Sequence, residues 1–196
     1  CPVATATQSD APIEEICETV GRASPHVEIK VVDRAGATLP LGETGEICLR
    51  GPMVMNSYWN NPEATAATID LDGFLHTGDL GAMDAGGVIR IRGRLREMII
   101  RGGENIYPPE IEDALLSHPA VAMAAVVGVD HERLGQEVGA VIQLRPGLTA
   151  PAAELEAHVE ARIARFKVPR HWRFAEAMPL TVSGKVRKVE LEALFR

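Results

Sequence analysis

The stretch Gly87-Val88-Ile89-Arg90-Ile91-Arg92-Gly93-Arg94-Leu95-Arg96-Glu97-Met98-Ile99-Ile100-Arg101-Gly102-Gly103-Glu104 decides the fold, because the periodicity of the chain changes across it. Up to Arg92 apolar and polar residues alternate with the period of two that marks a half-buried strand. The same alternation is partial in Val27-Glu28-Ile29-Lys30-Val31-Val32 and clean in Glu46-Ile47-Cys48-Leu49-Arg50. Between them, Asn61 to Ile69 predicts a short helix with Asn61 as N-cap and Pro62 in its first turn. Tyr58-Trp59 just before it reads as packing for the same unit, since aromatics supply large buried areas. Residues 1–92 are therefore expected to form a small, barrel-like β unit.

Beyond Gly93-Arg94 strands alternate with helices. Pro109 to His118 predicts a helix with Ile111, Ala114 and Leu115 on one face, ended by Pro119. The Val-rich run Val121 to Val129 and the run Val138 to Leu144 predict buried strands. Pro151 to Phe166 predicts an amphipathic helix carrying Leu155, Val159, Ile163 and Phe166 at helical spacing. His171 to Phe174 predicts a third strand, and Lys188 to Phe195 a last helix. The fold class expected is α/β (α+β), with a compact mixed domain over residues 93–196 and the boundary at Gly93-Arg94.

Composition narrows the function. The chain has 196 residues, 46% of them hydrophobic and 24% charged, which is ordinary for a globular protein. A net charge of −7 argues against a nucleic-acid partner, whose affinity comes mostly from phosphate neutralisation. No apolar run is long enough to span a bilayer. Cys1, Cys17 and Cys48 are odd in number and lack disulfide or ligand spacing, which fits a reducing cytoplasm. No histidine stands at ligand spacing from a cysteine or another histidine, so no protein-ligated metal is expected.

Lysine is scarce: sixteen arginines accompany only four lysines. One lysine lies in Pro179-Leu180-Thr181-Val182-Ser183-Gly184-Lys185-Val186-Arg187-Lys188, directly after a Ser-Gly turn. A lysine so placed can be carried toward a phosphate or carboxylate as a compact charge. The same residues would also serve as a solvated basic turn before the last helix.

This segment has two companions upstream: Phe74-Leu75-His76-Thr77-Gly78-Asp79-Leu80, and the run from Gly93-Arg94 through Arg101-Gly102-Gly103-Glu104-Asn105-Ile106-Tyr107-Pro108-Pro109-Glu110-Ile111-Glu112. In this order and spacing the three resemble the acyl-adenylate-forming enzymes. That superfamily includes acyl-CoA synthetases, adenylation domains of nonribosomal peptide synthetases and beetle luciferases. The resemblance runs from Gly21-Arg22 to the end of the chain. It implies that residues 1–92 are the β-rich C-terminal part of the large AMP-binding domain, and 93–196 the mobile C-terminal domain. A larger enzyme with a missing N-terminal domain is then expected, because the glycine-rich phosphate loop and the acyl pocket are not in this sequence.

The resemblance implies roles for particular residues. Asp79 would hold the ribose hydroxyls, since an ionised carboxylate accepts two hydrogen bonds from a vicinal diol. Arg94 would touch the nucleotide, and Arg96 would be the hinge, where relatives usually carry Asp or Lys. Lys185 would be catalytic, bridging the carboxylate substrate and the phosphate. Gly102, Gly103 and Glu104 would border the pantetheine path of CoA, while Arg133 and Lys167 would contact the CoA nucleotide. His76 reads as a hydrogen-bonded structural histidine. ATP with Mg as a substrate complex, CoA and a small carboxylic acid are the implied ligands. The leading expectation is an ATP-dependent acyl-CoA ligase of fatty-acid type, inactive as this segment alone. An adenylation domain that loads a carrier protein, and a non-catalytic nucleotide-binding or docking module, are the alternatives.

Overall fold

The computed structural model describes residues 3–195, so the reading of Cys1 lies outside the described residues. They form two compact units that divide between Arg96 and Glu97. The division falls beyond Gly93-Arg94 because the last strand of the first unit stays paired through Arg94.

In the first unit a short antiparallel pair, β1 (Thr5–Ala6) and β2 (Arg22–Ala23), brackets helix α1 (Ile13–Glu18). A four-stranded antiparallel sheet follows: β3 (Glu28–Val32), β4 (Gly45–Arg50), β5 (Leu75–Met83) and β6 (Ile89–Arg94), in the order β3-β4-β5-β6. The expected barrel is not formed. Strands β3 and β6 are the two edges of an open sheet, and no ladder among the described residues joins them. Val32, Ile47, Cys48, Leu49, Leu80 and Ile89 are buried in the unit.

Helix α2 (Pro62–Thr68) connects β4 to β5 and starts as its sequence directs: Asn61 Oδ1 accepts the Ala64 N–H at 3.0 Å, and Pro62 occupies the first turn. Tyr58-Trp59 does not pack as expected. Trp59 is 90% exposed, because the turn into α2 (Asn60 has φ +50°) projects it away from the sheet.

The second unit is a five-stranded mixed sheet. Its elements are β7 (Ile99–Arg101), β8 (Glu104–Ile106), α3 (Pro108–Leu116), β9 (Val121–His131), β10 (Gly135–Leu144), α4 (Ala152–Glu160), β11 (His171–Phe174) and α5 (Lys188–Glu192). Strand β10 is central, antiparallel to β9 and β7 and parallel to β11. Its alternation sorts two cores. Val138, Ala140 and Ile142 pack with Ile111 and Leu115 of α3 and Leu155 and Val159 of α4. Val141 packs on the opposite side with Ala125, Val127, Met178 and Leu191 of α5.

Two helices are shorter than their apolar spacing suggests. Helix α4 ends at Glu160 instead of running to Phe166, because Ala164 turns extended (ψ 139°) before a 3-10 turn at Arg165–Lys167. Ile163, in the bend between α4 and that turn, still packs against the core, so periodicity alone could not separate the two conformations. Helix α5 gives way to a 3-10 turn at Ala193–Phe195. Among the described residues no helix is long and apolar enough to cross a membrane.

Candidate functional site

In the first unit the candidate residues lie on β5 and β6. Asp79 is a residue of strand β5. It sits opposite Arg94 in the ladder, and Arg94 Nε lies 3.1 Å from Asp79 Oδ1. Both side chains stay partly exposed, at 34% and 49%, so each can reach a ligand. The strand is bent to present them. Gly78 has φ +70°, a conformation glycine adopts without strain, and the ladder slips between Leu80 and Gly81. Side chains fix this bend: Thr77 Oγ1 donates to Ile47 O at 2.7 Å and accepts the Asp79 N–H at 3.0 Å. Glu46 Oε1 accepts the Gly78 N–H at 3.0 Å. Thr77, Asp79, His76, Tyr58, Met55 and Leu49 contribute to the lining of an open cleft of about 540 Å³.

Sequence spacing hid the neighbours of His76. Because β4 and β5 run antiparallel with Cys48 opposite His76, Cys48 Sγ lies 3.4 Å from His76 Nδ1. Glu46 Oε2 lies 2.8 Å from the same nitrogen, and Asp70 Oδ2 is 3.7 Å from His76 Nε2. His76 is thus hydrogen-bonded through Nδ1, with the Asp70 carboxylate facing Nε2 beyond hydrogen-bond distance. The signal in the sequence was the i, i+2 relation of Glu46 and Cys48, which puts both on one face of a strand. Burial pushes the Cys48 thiol up to about 12, helped by the Glu46 and Asp70 charges and opposed by Lys30.

Arg96 lies in the 3-10 turn Leu95–Glu97, the last residue of the first unit. In the second unit Gly102 and Gly103 form the two-residue turn between β7 and β8, with Arg101 opposite Glu104. Their φ values of +57° and +92° are those of a type I′ hairpin, which explains the Gly-Gly pair. The Gly102 N–H donates to Leu134 O at 2.8 Å, which brings the β9–β10 turn and the exposed Arg133 alongside this hairpin. Glu104 is exposed on β8. Lys167 Nζ contacts both Glu110 carboxylate oxygens, at 2.8 and 2.7 Å.

The hairpin tip is held by Arg101 at its base. Arg101 spans both carboxylate oxygens of Glu137 on β10, with Nη2 to Oε2 at 3.0 Å. Burial pushes the Glu137 carboxyl up, yet the Arg101 bonds and the Val138 N–H outweigh it and hold the group below its ordinary value.

Lys185 stands on a closed turn. The Thr181 N–H donates to Lys185 O at 2.7 Å, Thr181 Oγ1 accepts the Lys185 N–H at 3.0 Å, and Gly184 adopts φ +80°. The other three lysines are engaged. Lys30 pairs with Asp70, Lys167 with Glu110, and Lys188 with both Glu97 and Glu112. Lys185 is exposed and makes no ion pair among the described residues. Asp79 and Arg94 are thus gathered in one unit, and Lys185, Gly102, Gly103, Glu104, Arg133 and Lys167 belong to the other.

Family profiles match both units: AMP-binding enzyme over residues 1–59, and AMP-binding enzyme C-terminal domain over residues 110–185. The YngI protein of Bacillus subtilis (strain 168) is 45% identical over 191 residues, covering 97% of this chain and 35% of that protein. The medium-chain acyl-CoA ligase ACSF2, mitochondrial, of Rattus norvegicus is 45% identical over 180 residues, covering 91% of this chain and 29% of that protein. This chain therefore spans about a third of the length of these relatives. Among solved structures, ATP-bound MatB from Rhodopseudomonas palustris superposes with a TM-score of 0.85 at 37% identity, over 91% of this chain and 36% of that one. The amide bond synthetase McbA from Marinactinospora thermotolerans superposes with a TM-score of 0.84 at 38% identity, over 93% of this chain and 37% of that one.

Proposed function

The chain belongs to the AMP-binding enzyme family of adenylate-forming proteins, which includes acyl-CoA synthetases, and from that premise we propose that it forms part of an ATP-dependent acyl-CoA ligase acting on a fatty acid. In this reading a carboxylate attacks the α-phosphate of ATP, pyrophosphate leaves, and the CoA thiol then displaces AMP from the acyl-adenylate. Mg enters with ATP as part of the substrate.

Two anions must approach each other in the first step, so a cation aimed at the charge that develops is the main requirement. Lys185 meets it, and its exposure on an ordered turn, in a chain whose other lysines are bound to carboxylates, is the observation that carries the proposal. Asp79 accepts the ribose hydroxyls once Arg94 swings from its carboxylate toward the nucleotide. For the second step the open Gly102-Gly103 turn borders the pantetheine arm beside Glu104. Arg133 and Lys167 take the nucleotide end of CoA, Lys167 exchanging Glu110 for phosphate. Arg96 is the hinge between the two half-reactions, because a single residue in a 3-10 turn can absorb a large backbone change.

The likeness to the amide bond synthetase McbA favours a second reading, in which an amine takes the acyl group. Incubating the full-length protein with ATP, Mg, a fatty-acid panel and either CoA or amines, with mass-spectrometric readout, separates the two. Acyl-CoA as the product supports the ligase. Amides formed while CoA stays unmodified refute it, and so does the absence of any acyl-adenylate.

A further inference from the structure

We propose that Glu46, Cys48 and His76 form a binding site for a zinc-like divalent cation, on the β4–β5 ladder directly before Thr77-Gly78-Asp79. Each residue offers one ligand atom, and the three atoms lie within 4.8 Å of one another. The donor set of thiolate, imidazole and carboxylate is the one that zinc takes. Tetrahedral bonds of ~2.0–2.3 Å set ligand-to-ligand separations of roughly 3.4–3.6 Å. The observed Sγ–Nδ1 distance is 3.4 Å and the Nδ1–Oε2 distance 2.8 Å. On that zinc geometry the Glu46 carboxylate has to withdraw from Nδ1 by roughly half an ångström, and Cys48 Sγ and the Glu46 oxygen, which lie within 4.8 Å of each other, settle to the same spacing as the ion enters.

The surroundings fit ligation on independent grounds. A ligating histidine normally turns its other ring N–H to a carboxylate. Asp70 Oδ2 stands 3.7 Å from His76 Nε2. Asp70 is itself fixed by Lys30 and by the N–H groups of Asp72 and Phe74. Without an ion the Nδ1–H donates to Glu46 Oε2 at 2.8 Å; ligation requires the tautomer with the proton on Nε2, toward Asp70, so that Nδ1 turns a lone pair to the cation. Glu46 Oε1 is occupied by the Gly78 N–H, which makes Glu46 a one-oxygen ligand. His76 is 31% exposed on the cleft, so the ion has an entrance and its fourth position can hold water. Binding converts the Cys48 thiol to a metal-bound thiolate and releases one proton. Once bound, the ion clamps β4 to β5 beside the bend that presents Asp79.

Cobalt(II) is the probe, because thiolate ligation gives it a charge-transfer absorption in the near ultraviolet. The chain carrying Cys1→Ser and Cys17→Ser keeps Cys48 as its sole thiol. Titrating this form with cobalt should give the band at one equivalent, and added zinc should abolish it. Asp70→Asn should weaken cobalt binding about 10–100-fold, as loss of an outer-shell partner does. His76→Gln and Glu46→Gln should weaken it further. Because Cys48 is fully buried, Cys48→Ala is paired with far-UV circular dichroism, and the more exposed His76→Gln variant carries the test if Cys48→Ala misfolds. Zinc should also raise the thermal midpoint of the two-serine form and leave that of His76→Gln unchanged. No band at saturating cobalt overturns the proposal. So does a band that survives Cys48→Ala, or an affinity that His76→Gln and Glu46→Gln leave unchanged.

Discussion

Arg101→Met tests the account of the second unit most sharply. The Glu137 side chain is only 7% exposed, and Arg101 supplies both of its strong donors. Removing them leaves the carboxylate with the Val138 N–H at 3.1 Å. Stranding a buried charge in this way costs about 3–5 kcal/mol, against a total of about 5–15 kcal/mol for a typical domain. For a unit of this size the melting midpoint should fall by ~12 °C or more. Arg101→Met/Glu137→Leu should recover most of the loss, because no charge is left uncompensated. Urea unfolding followed by Trp172 fluorescence measures the effect, in a Trp59→Phe background. Trp172 packs against the second unit's core, whereas Trp59 is already 90% exposed. Acid supplies a signed control. The native carboxyl of Glu137 is held below the ordinary value of 4.5, so its contribution is fully present above that pH and is lost as the pH falls through the native value. In Arg101→Met the carboxylate can protonate, and the gap between variant and parent should close on acidification. A gap below about 1 kcal/mol, a gap that does not change between pH 7 and 3, or a double variant as weak as the single one would falsify the ion-pair account.

Other outcomes follow from the candidate site and its scaffold. In the full-length protein, Lys185→Ala should lower ATP–pyrophosphate exchange ~10²–10³-fold and nearly spare thioester formation from supplied acyl-AMP; equal loss in both assays removes Lys185 from its assigned step. Gly103→Val should do the reverse. A Cβ there meets no atom of the described residues within 4 Å, and the φ of +92° adds about 1–2 kcal/mol of backbone strain that a urea midpoint will show. The 196-residue chain alone should give no ATP–pyrophosphate exchange, and measurable exchange would refute the need for further sequence. Asn61→Ala should cost about 0.5–2 kcal/mol by removing the cap on Ala64, read by thermal unfolding of the first unit.

The sequence revealed regular periods and strong punctuation. Asn61-Pro62 marked the start of α2, and the Val-rich runs marked β9 and β10, because capping and burial act over a few neighbouring residues. Strand β5 was not legible. Gly78 and Gly81 interrupt its alternation, and Gly81 is required because a Cβ there would lie 2.5 Å from Arg90 O on the neighbouring strand. That requirement lives in the partner strand and leaves no local trace. The Glu46–Cys48–His76 cluster was hidden for the same reason: a ladder joins residues 28 positions apart. The motifs of Asp79, Arg94 and Lys185 were readable one by one, but the Asp79–Arg94 pairing depends on the β5–β6 register. The end of α4 was missed because a turn and a helix can keep Ile163 on the same side of the core.

The turn that carries Lys185 is anchored at both ends. Met178 before it and Leu191 after it are buried in one cluster, and Lys188 grips Glu97 and Glu112. The Arg187 N–H closes the base of the turn by donating to Pro179 O at 2.8 Å. The consequence is entropic. A lysine on a free tail would have to freeze several backbone residues at each engagement, at about 1–2 kcal/mol apiece. Here the backbone is already ordered, and only the rotamers of one side chain remain to be lost, about 2 kcal/mol. On the proposed role of Lys185, Leu191 would influence how cheaply that lysine is deployed without touching any ligand, an effect that backbone order parameters for residues 181–185 in Leu191→Ala would register.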